Sequence, residues 1–328
     1  MTTSVDTHRS DFNVADPMDL GADFLWRDQA GHNVLWIMFG GAAQFMAALP
    51  TVTPDWHFKA AADFDVGGPV FFDNVDADIL WQNDNGGLAI WQMIGTSVND
   101  IHALPNPGPS WHVVGDNDFN GDFDDDILFQ NDNGALAMWT GIDPATGFVS
   151  FKIAGTQNPG PTWHVVGTGD TNNDGMAGIL WQNDNGGLAL WENPTFPAGA
   201  FTFNTLAALP TVDPSWHVKG LADVSGDGRA DIVFQHDSGA VVVWEMGGAA
   251  GTTINAANLV NRNPGPSWHI AGLRDMDRDG KADILFQHDN GAPAVWEDYQ
   301  SLGGGSATFA HVLAILNPNP NGHVWDLL

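Results

Sequence analysis

Oxygen-bearing side chains recur at alternate positions along this chain, in the spacing D-x-[DNS]-x-D-G-x-x-D. The sets are Asp118, Asn120, Asp122 and Asp126; Asp223, Ser225, Asp227 and Asp231; and Asp275, Asp277, Asp279 and Asp283. Oxygens two residues apart, a glycine for a sharp turn and a last carboxylate after re-entry into a strand suit one hard cation, with Ca²⁺ the expected ion. A fourth set, Asp170, Asn172 and Asp174, ends in Gly178, which predicts a weaker site, and the first set has Phe123 where glycine is expected. There is no Glu at a twelfth position, and the loops offer no His, so a structural metal is expected rather than an EF-hand or a catalytic zinc centre. The plainer alternative is a row of solvated Asp-rich turns.

A second recurring group combines aromatic faces with amides, carboxylates and imidazoles. P-x-W-H segments place Trp56, Trp111, Trp163, Trp216 and Trp268 before His57, His112, His164, His217 and His269, and Q-N-D-N-G turns carry Asn83 and Asp84, Asn131 and Asp132, and Asn183 and Asp184. Trp beside Asn and Asp suits sugars, whose C–H faces stack on the ring while hydroxyls pair with the polar groups. The residues expected to bind a ligand are Asn83, Asp84, Trp111, His112, Asn131, Asp132, Trp163, His164, Asn183, Asp184, Trp268 and His269. Core packing competes for the same Trp residues, and the histidine column is expected to be buried and hydrogen-bonded.

These groups need a scaffold, and it is written in one stretch, DILWQNDNGGLAIW, from Asp78 to Trp91. It returns ending at Trp139, Trp191, Trp244 and Trp296, with a worn first copy, DFLWRDQAGHNVLW, ending at Trp36, so the period is 48 to 55 residues. Periods of this size mean propellers or solenoids. Each copy is two apolar runs around an Asp-Asn-Gly or Asp-Ser-Gly step, which predicts a tight β-hairpin. The hairpin-terminal Trp residues are expected in the core. With the Trp-His strand before it and a variable strand after it, each repeat reads as four antiparallel strands. The first repeat has no Trp-His segment before its hairpin. The missing copy stands at the far end as PNGHVW, with Gly322 in the Trp column and His323 in the His column. A C-terminal strand completing an N-terminal unit closes a ring without free edges. The expected fold is therefore all-β, a six-bladed β-propeller formed by residues 11–328 as a single domain after a loose tail, 1–10.

Strand direction sorts the two groups. If the acidic loop joins the first strand to the second on one rim, the Q-N-D-N-G turns and P-x-W-H loops share the other. This acidic loop followed by an apolar strand resembles the FG-GAP or VCBS-type repeats of integrin-like β-propellers, a family that includes propeller lectins. The resemblance implies Ca²⁺ held structurally in the loops and a scaffold that serves adhesion or sugar binding.

Composition narrows the function classes. The formal charge is −30, with 37 Asp, only 3 Glu and 10 Lys and Arg, and the basic residues form no cluster, so nucleic acid is not an expected partner. There is no apolar run of membrane-spanning length and no cysteine. MTTSVDTHRS lacks the apolar core of a secretory signal, so the expected place, secreted or at the cell surface, requires a route the sequence does not display. No G-x-S-x-G or phosphate-loop context occurs, and the single Tyr299 has no evident partner, so no enzyme is expected. The leading expectation is a multivalent lectin for glycans on a cell surface or extracellular polysaccharide, monomeric or weakly oligomeric. A protein-binding adhesion propeller is the alternative, and a polysaccharide-active enzyme comes last.

Overall fold

The computed structural model describes residues 23–39, 42–62, 64, 77–143, 148–196, 200–314 and 325–327. The expected tail lies outside them. The described elements are all strands. The third repeat shows the unit clearly: inner strand Trp111–Asn117, hairpin strands Asp126–Asn131 and Leu136–Asp143, and outer strand Phe148–Gly155. All neighbours within it are antiparallel. The hairpin strands read as apolar at successive positions because both of their faces are covered.

The same antiparallel order recurs through the chain, as six four-strand runs among the described residues. Two pairs of runs merge into eight-stranded sheets because their outer strands touch in parallel, through Ala154↔Ala200 and Gly155↔Phe201 and through Leu259↔Ser306 and Val260↔Ala307. The first run takes its inner strand from the C-terminus: Trp325–Leu327 pairs with Phe24–Asp28 through Trp26↔Leu327, Arg27↔Asp326 and Asp28↔Trp325. Elsewhere the Trp of the Trp-His pair lies opposite the last residue of the next strand, as in Trp56↔Asn83 and Trp111↔Asn131. Trp325 therefore holds the Trp column and Asp326 the His column. The expected alignment on Gly322 and His323, which lie outside the described residues, is corrected by this register: the match runs Trp to Trp, not His to His.

Packing between runs supplies the core. Each of six apolar clusters lies between neighbouring runs, and one joins the last to the first, with Leu285 and Val295 against Phe24, Trp26 and Trp36. Within each hairpin the terminal Trp stacks on an aromatic ring of the preceding strand, with centroids from 4.6 Å (Phe286 and Trp296) to 5.3 Å (Trp26 and Trp36). All of these Trp residues are buried except Trp244, which is half-buried, in agreement with the core role expected of them. Inner strands of successive runs approach closely: a Cβ on Gly167 would lie 2.4 Å from Leu221 Cδ1, and one on Gly115 would lie 2.6 Å from Thr168 Cγ2.

Hydrogen bonds also fasten run to run. Gln82 donates to Trp111 O at 2.8 Å and accepts from Val113 N at 3.0 Å. Gln130 bonds Trp163 O and Val165 N in the same way, and Gln235 bonds Trp268 O and Ile270 N. Arg27 stands in the glutamine position of the first run and donates to Trp56 O and Thr53 O, its guanidinium 5.4 Å from the centre of the Trp81 ring. Gln235→Ala strips two backbone groups of their partners and should cost about 2 to 3 kcal/mol in urea unfolding.

Candidate functional site

On one rim the acidic loops repeat in detail. The first carboxylate gathers backbone N–H groups: Asp118 accepts from Gly121 (2.6 Å) and Phe123 (2.8 Å), Asp170 from Asn173 (2.6 Å) and Gly175 (2.8 Å), and Asp223 from Gly226 and Gly228 (both 2.7 Å). Asp275 accepts from Gly280 at 2.9 Å. The last carboxylate folds back onto the loop, where Asp126 accepts from Phe119 N, Asp231 from Ser225 N and Asp283 from Met276 N. Successive loops are tied to each other by Ala177 N to Asp118 O, Ala230 N to Asp170 O and Ala282 N to Asp223 O, all 2.7 or 2.8 Å.

Electrostatics make these loops receptive to a cation. Burial pushes Asp126 up to about 9, and Asp231 and Asp283 up to about 8, with neighbouring carboxylates adding to the rise. Asp118, Asp170, Asp223 and Asp275 are raised for the same first reason. Carboxylate oxygens of Asp275, Asp277 and Asp283 lie within 4.8 Å of one another, and so do those of Asp277, Asp279 and Asp298. A divalent cation would let these acids ionise together, so the donor set fits Ca²⁺. Asp298 belongs to the second strand of the hairpin, Pro293–Gly303, and the expected ligand set did not include it.

Two departures from the repeat have physical consequences. Phe123 adopts φ 73°, where Gly175, Gly228 and Gly280 have φ 84°, 83° and 86°, and it is 88% exposed. Phe123→Gly should therefore stabilise the protein by about 1 kcal/mol, seen as a higher melting temperature. In the fourth loop, Glu192 reaches the place left by Gly178: a Cβ there would lie 2.3 Å from the glutamate's Cδ and Oε1. Burial pushes Glu192 up to about 8, with Asp170 and Asp174 contributing after the opposing Thr171 hydrogen bond. One signal in the sequence pointed here, since the three glutamates, 192, 245 and 297, each follow a hairpin-terminal Trp.

The opposite rim brings turn and loop together as strand direction requires. The turn glycines have φ near +85° and no room for a Cβ: on Gly86 it would sit 2.4 Å from Gly108 O, and on Gly239 it would sit 2.2 Å from Gly265 O. Each turn also bonds its own Trp-His loop, as in Asp84 N to Asp55 O and Asp184 N to Thr162 O. Five matched pairs stand on this face: His57 with Asp84, His112 with Asp132, His164 with Asp184, His217 with Asp237 and His269 with Asp289, all Nε2 to Oδ1 at 2.7 or 2.8 Å. The histidines are 51 to 56% exposed, which corrects the expectation of a buried column. Side chains alternate along the inner strand, so its Trp turns toward the cluster between runs while the His faces solvent.

Asn83, Asn131 and Asn183, expected to meet a ligand, each also build the turn. Their amides donate to Asp55, Ser110 and Thr162, and their carbonyls accept from the N–H groups of Asn85, Asn133 and Asn185. Trp111, Trp163 and Trp268 are half-buried against the clusters between runs, which leaves part of each ring exposed. Between the fourth and fifth runs lies a cleft of about 230 Å³, bounded by His164, Asn183, Asp184, Trp216 and His217 among others. The groups available in it are an imidazole–carboxylate pair from one run and a Trp-His pair from the next. Tyr299, which had no evident partner in sequence, is buried, donates to Glu245 and accepts from Asn258, and burial raises its hydroxyl pKa.

Residues 223–286 match the family model of the FG-GAP-like repeat. No curated protein matches the chain. Among solved structures, BBS1N in complex with ARL6DN, soaked with lead, is similar at TM-score 0.50 and 10% identity over 89% of this chain and 93% of that one. The same complex soaked with mercury gives TM-score 0.41 and 12% identity over 84% and 76%. The matched residues carry the acidic loops at Asp223 and Asp275 with the hairpin between them, and the same four-strand unit recurs on either side, so the chain has a β-propeller fold with an FG-GAP-like repeat over residues 223–286.

Proposed function

We propose that this protein is a six-bladed binding propeller whose hairpin-turn rim holds glycans in the clefts between neighbouring blades, while Ca²⁺ ties the acidic loops of the other rim. The six-fold count is supported by six four-strand runs and by the cluster that joins the last run to the first. The glycan reading is carried by one observation: the same exposed His–Asp pair stands on five runs beside a half-buried Trp. Nε2–H donation to the aspartate leaves Nδ1 as an acceptor, and the carboxylate accepts from hydroxyls while the indole face takes an apolar sugar face. Equal, shallow sites suit a repeated ligand. Each should bind at about millimolar to micromolar strength, with avidity on a glycan-coated surface.

The setting that fits is secreted or at the cell surface, and the role is binding rather than catalysis. A protein-binding rim is the second reading, favoured by the similar propeller having been solved in complex with ARL6DN. A glycan array with the Ca²⁺-loaded protein separates the two. Binding to a family of related glycans, weakened by Asp184→Ala and by Trp216→Ala with melting temperature kept, is the expected result. An empty array would turn the assignment to a polypeptide partner.

A further inference from the structure

The fourth acidic loop lacks the final aspartate that the third, fifth and sixth loops possess, because Gly178 stands in its place. Sequence spacing alone makes this the weakest of the loops, but the side chains say otherwise. The Glu192 carboxylate, from the second strand of the hairpin, Leu188–Thr195, fills the space of the missing group: both of its oxygens lie within 2.4 Å of where a Gly178 Cβ would be. Glu192 is 0% exposed. One oxygen, Oε1, accepts a hydrogen bond from the hydroxyl of Thr171, which sits between the first two ligand positions of the loop. The other, Oε2, is buried without a hydrogen-bond partner. A buried carboxylate oxygen left unsatisfied is costly, and beside Asp170 and Asp174 it is also repelled.

We propose that Glu192 is a cation ligand that replaces the missing aspartate, so that the fourth loop is a complete Ca²⁺ site built from Asp170, Asn172, Asp174 and Glu192. The longer side chain reaches from the next strand to the position that an aspartate reaches from its own. A cation there would accept Oε2 as an oxygen donor and offset the repulsion among the three carboxylates. The inference rests on the reading of the acidic loops as Ca²⁺ sites, and it adds a ligand that the loop motif does not contain.

Native mass spectrometry and calorimetric titration of Ca²⁺ into the full chain test it, with Asp279→Asn in the sixth loop as the reference. Wild type should bind one more Ca²⁺ than Glu192→Gln and one more than Asp279→Asn, the affinity of the lost site falling on the order of 100-fold. The double variant Gly178→Asp, Glu192→Ala moves the carboxylate to the strand where the other loops have it, and it should recover the ion. It also decides the matter if Glu192→Gln does not fold. If Asp279→Asn loses an ion while Glu192→Gln keeps its full number, Glu192 is a buried hydrogen-bonding group and the proposal is wrong. The proposal is equally wrong if Glu192→Ala alone holds as many ions as the double variant. Wild type without any bound Ca²⁺ would instead remove the reading of all the loops.

Discussion

Chelating divalent cations at pH 8 should lower the melting temperature by about 10 °C, and the loss should shrink as the pH falls toward 5. Mass action over several saturated sites supplies roughly 3 kcal/mol each at a hundredfold excess of Ca²⁺ over the dissociation constant, which sets the scale. The pH dependence follows from the carboxyls. In the metal-free fold Asp126 titrates at about 9, and Asp231 and Asp283 at about 8, because burial disfavours their ionised forms. In the unfolded chain they titrate near 4. Between those limits the folded chain holds protons that the unfolded chain has released, so metal-free stability is greatest at low pH and falls as pH rises. Ca²⁺ bound to the ionised carboxylates, as proposed, should flatten or reverse that slope. The two carboxylate oxygens of Asp231 accept separately from Ser225 N and Met246 N, so Asp231→Asn keeps an acceptor for one of them at some cost in stability, removes one titration and should reduce the metal-free slope. Metal-free stability that rises from pH 5 to 8 would contradict this account.

Ending the chain at residue 324 should lower the melting temperature by roughly 5 to 10 °C and promote association. The missing strand, Trp325–Leu327, supplies the inner edge of the first run. Without it the N–H and C=O groups of Trp26–Asp28 lose their partners, and an unpaired edge invites another chain. The neighbouring seam is also the one that joins the two ends of the ring, where buried Phe24 and Trp26 meet Leu285 and Val295. Differential scanning calorimetry with light scattering checks both effects. A truncated chain that melts like wild type would mean the last strand is not part of the closure.

Local features were legible because they are set by local chemistry. The hairpins follow from Asp-Asn-Gly steps between apolar runs, and the acidic loops from their alternate oxygens, so both could be read one repeat at a time. Relations between repeats were hidden. Gln82 looks like a rim amide until the neighbouring run places Trp111 O and Val113 N against it. His112 looks like a core histidine until the alternation of its strand turns it to solvent beside Asp132. Glu192 lies far in sequence from the loop it enters, so spacing within that loop could not reveal it. The last strand was placed three residues early because a Gly-His pair imitated Trp-His, and only the ladder with Phe24–Asp28 fixed its register.

If the rim clefts act as equal, linked sites, as proposed, binding to a multivalent glycan surface should weaken as clefts are removed in turn. Starting from a glycan identified on the array, surface plasmon resonance would follow the dissociation rate of wild type and of variants carrying Asp84→Ala, Asp132→Ala, Asp184→Ala, Asp237→Ala and Asp289→Ala in increasing number. Ca²⁺ would be held constant and the melting temperature checked for each variant. Dissociation should quicken stepwise with each lost cleft until only weak, single-site binding remains. A variant lacking all of these aspartates that stays folded and holds the surface as tightly as wild type would contradict the account.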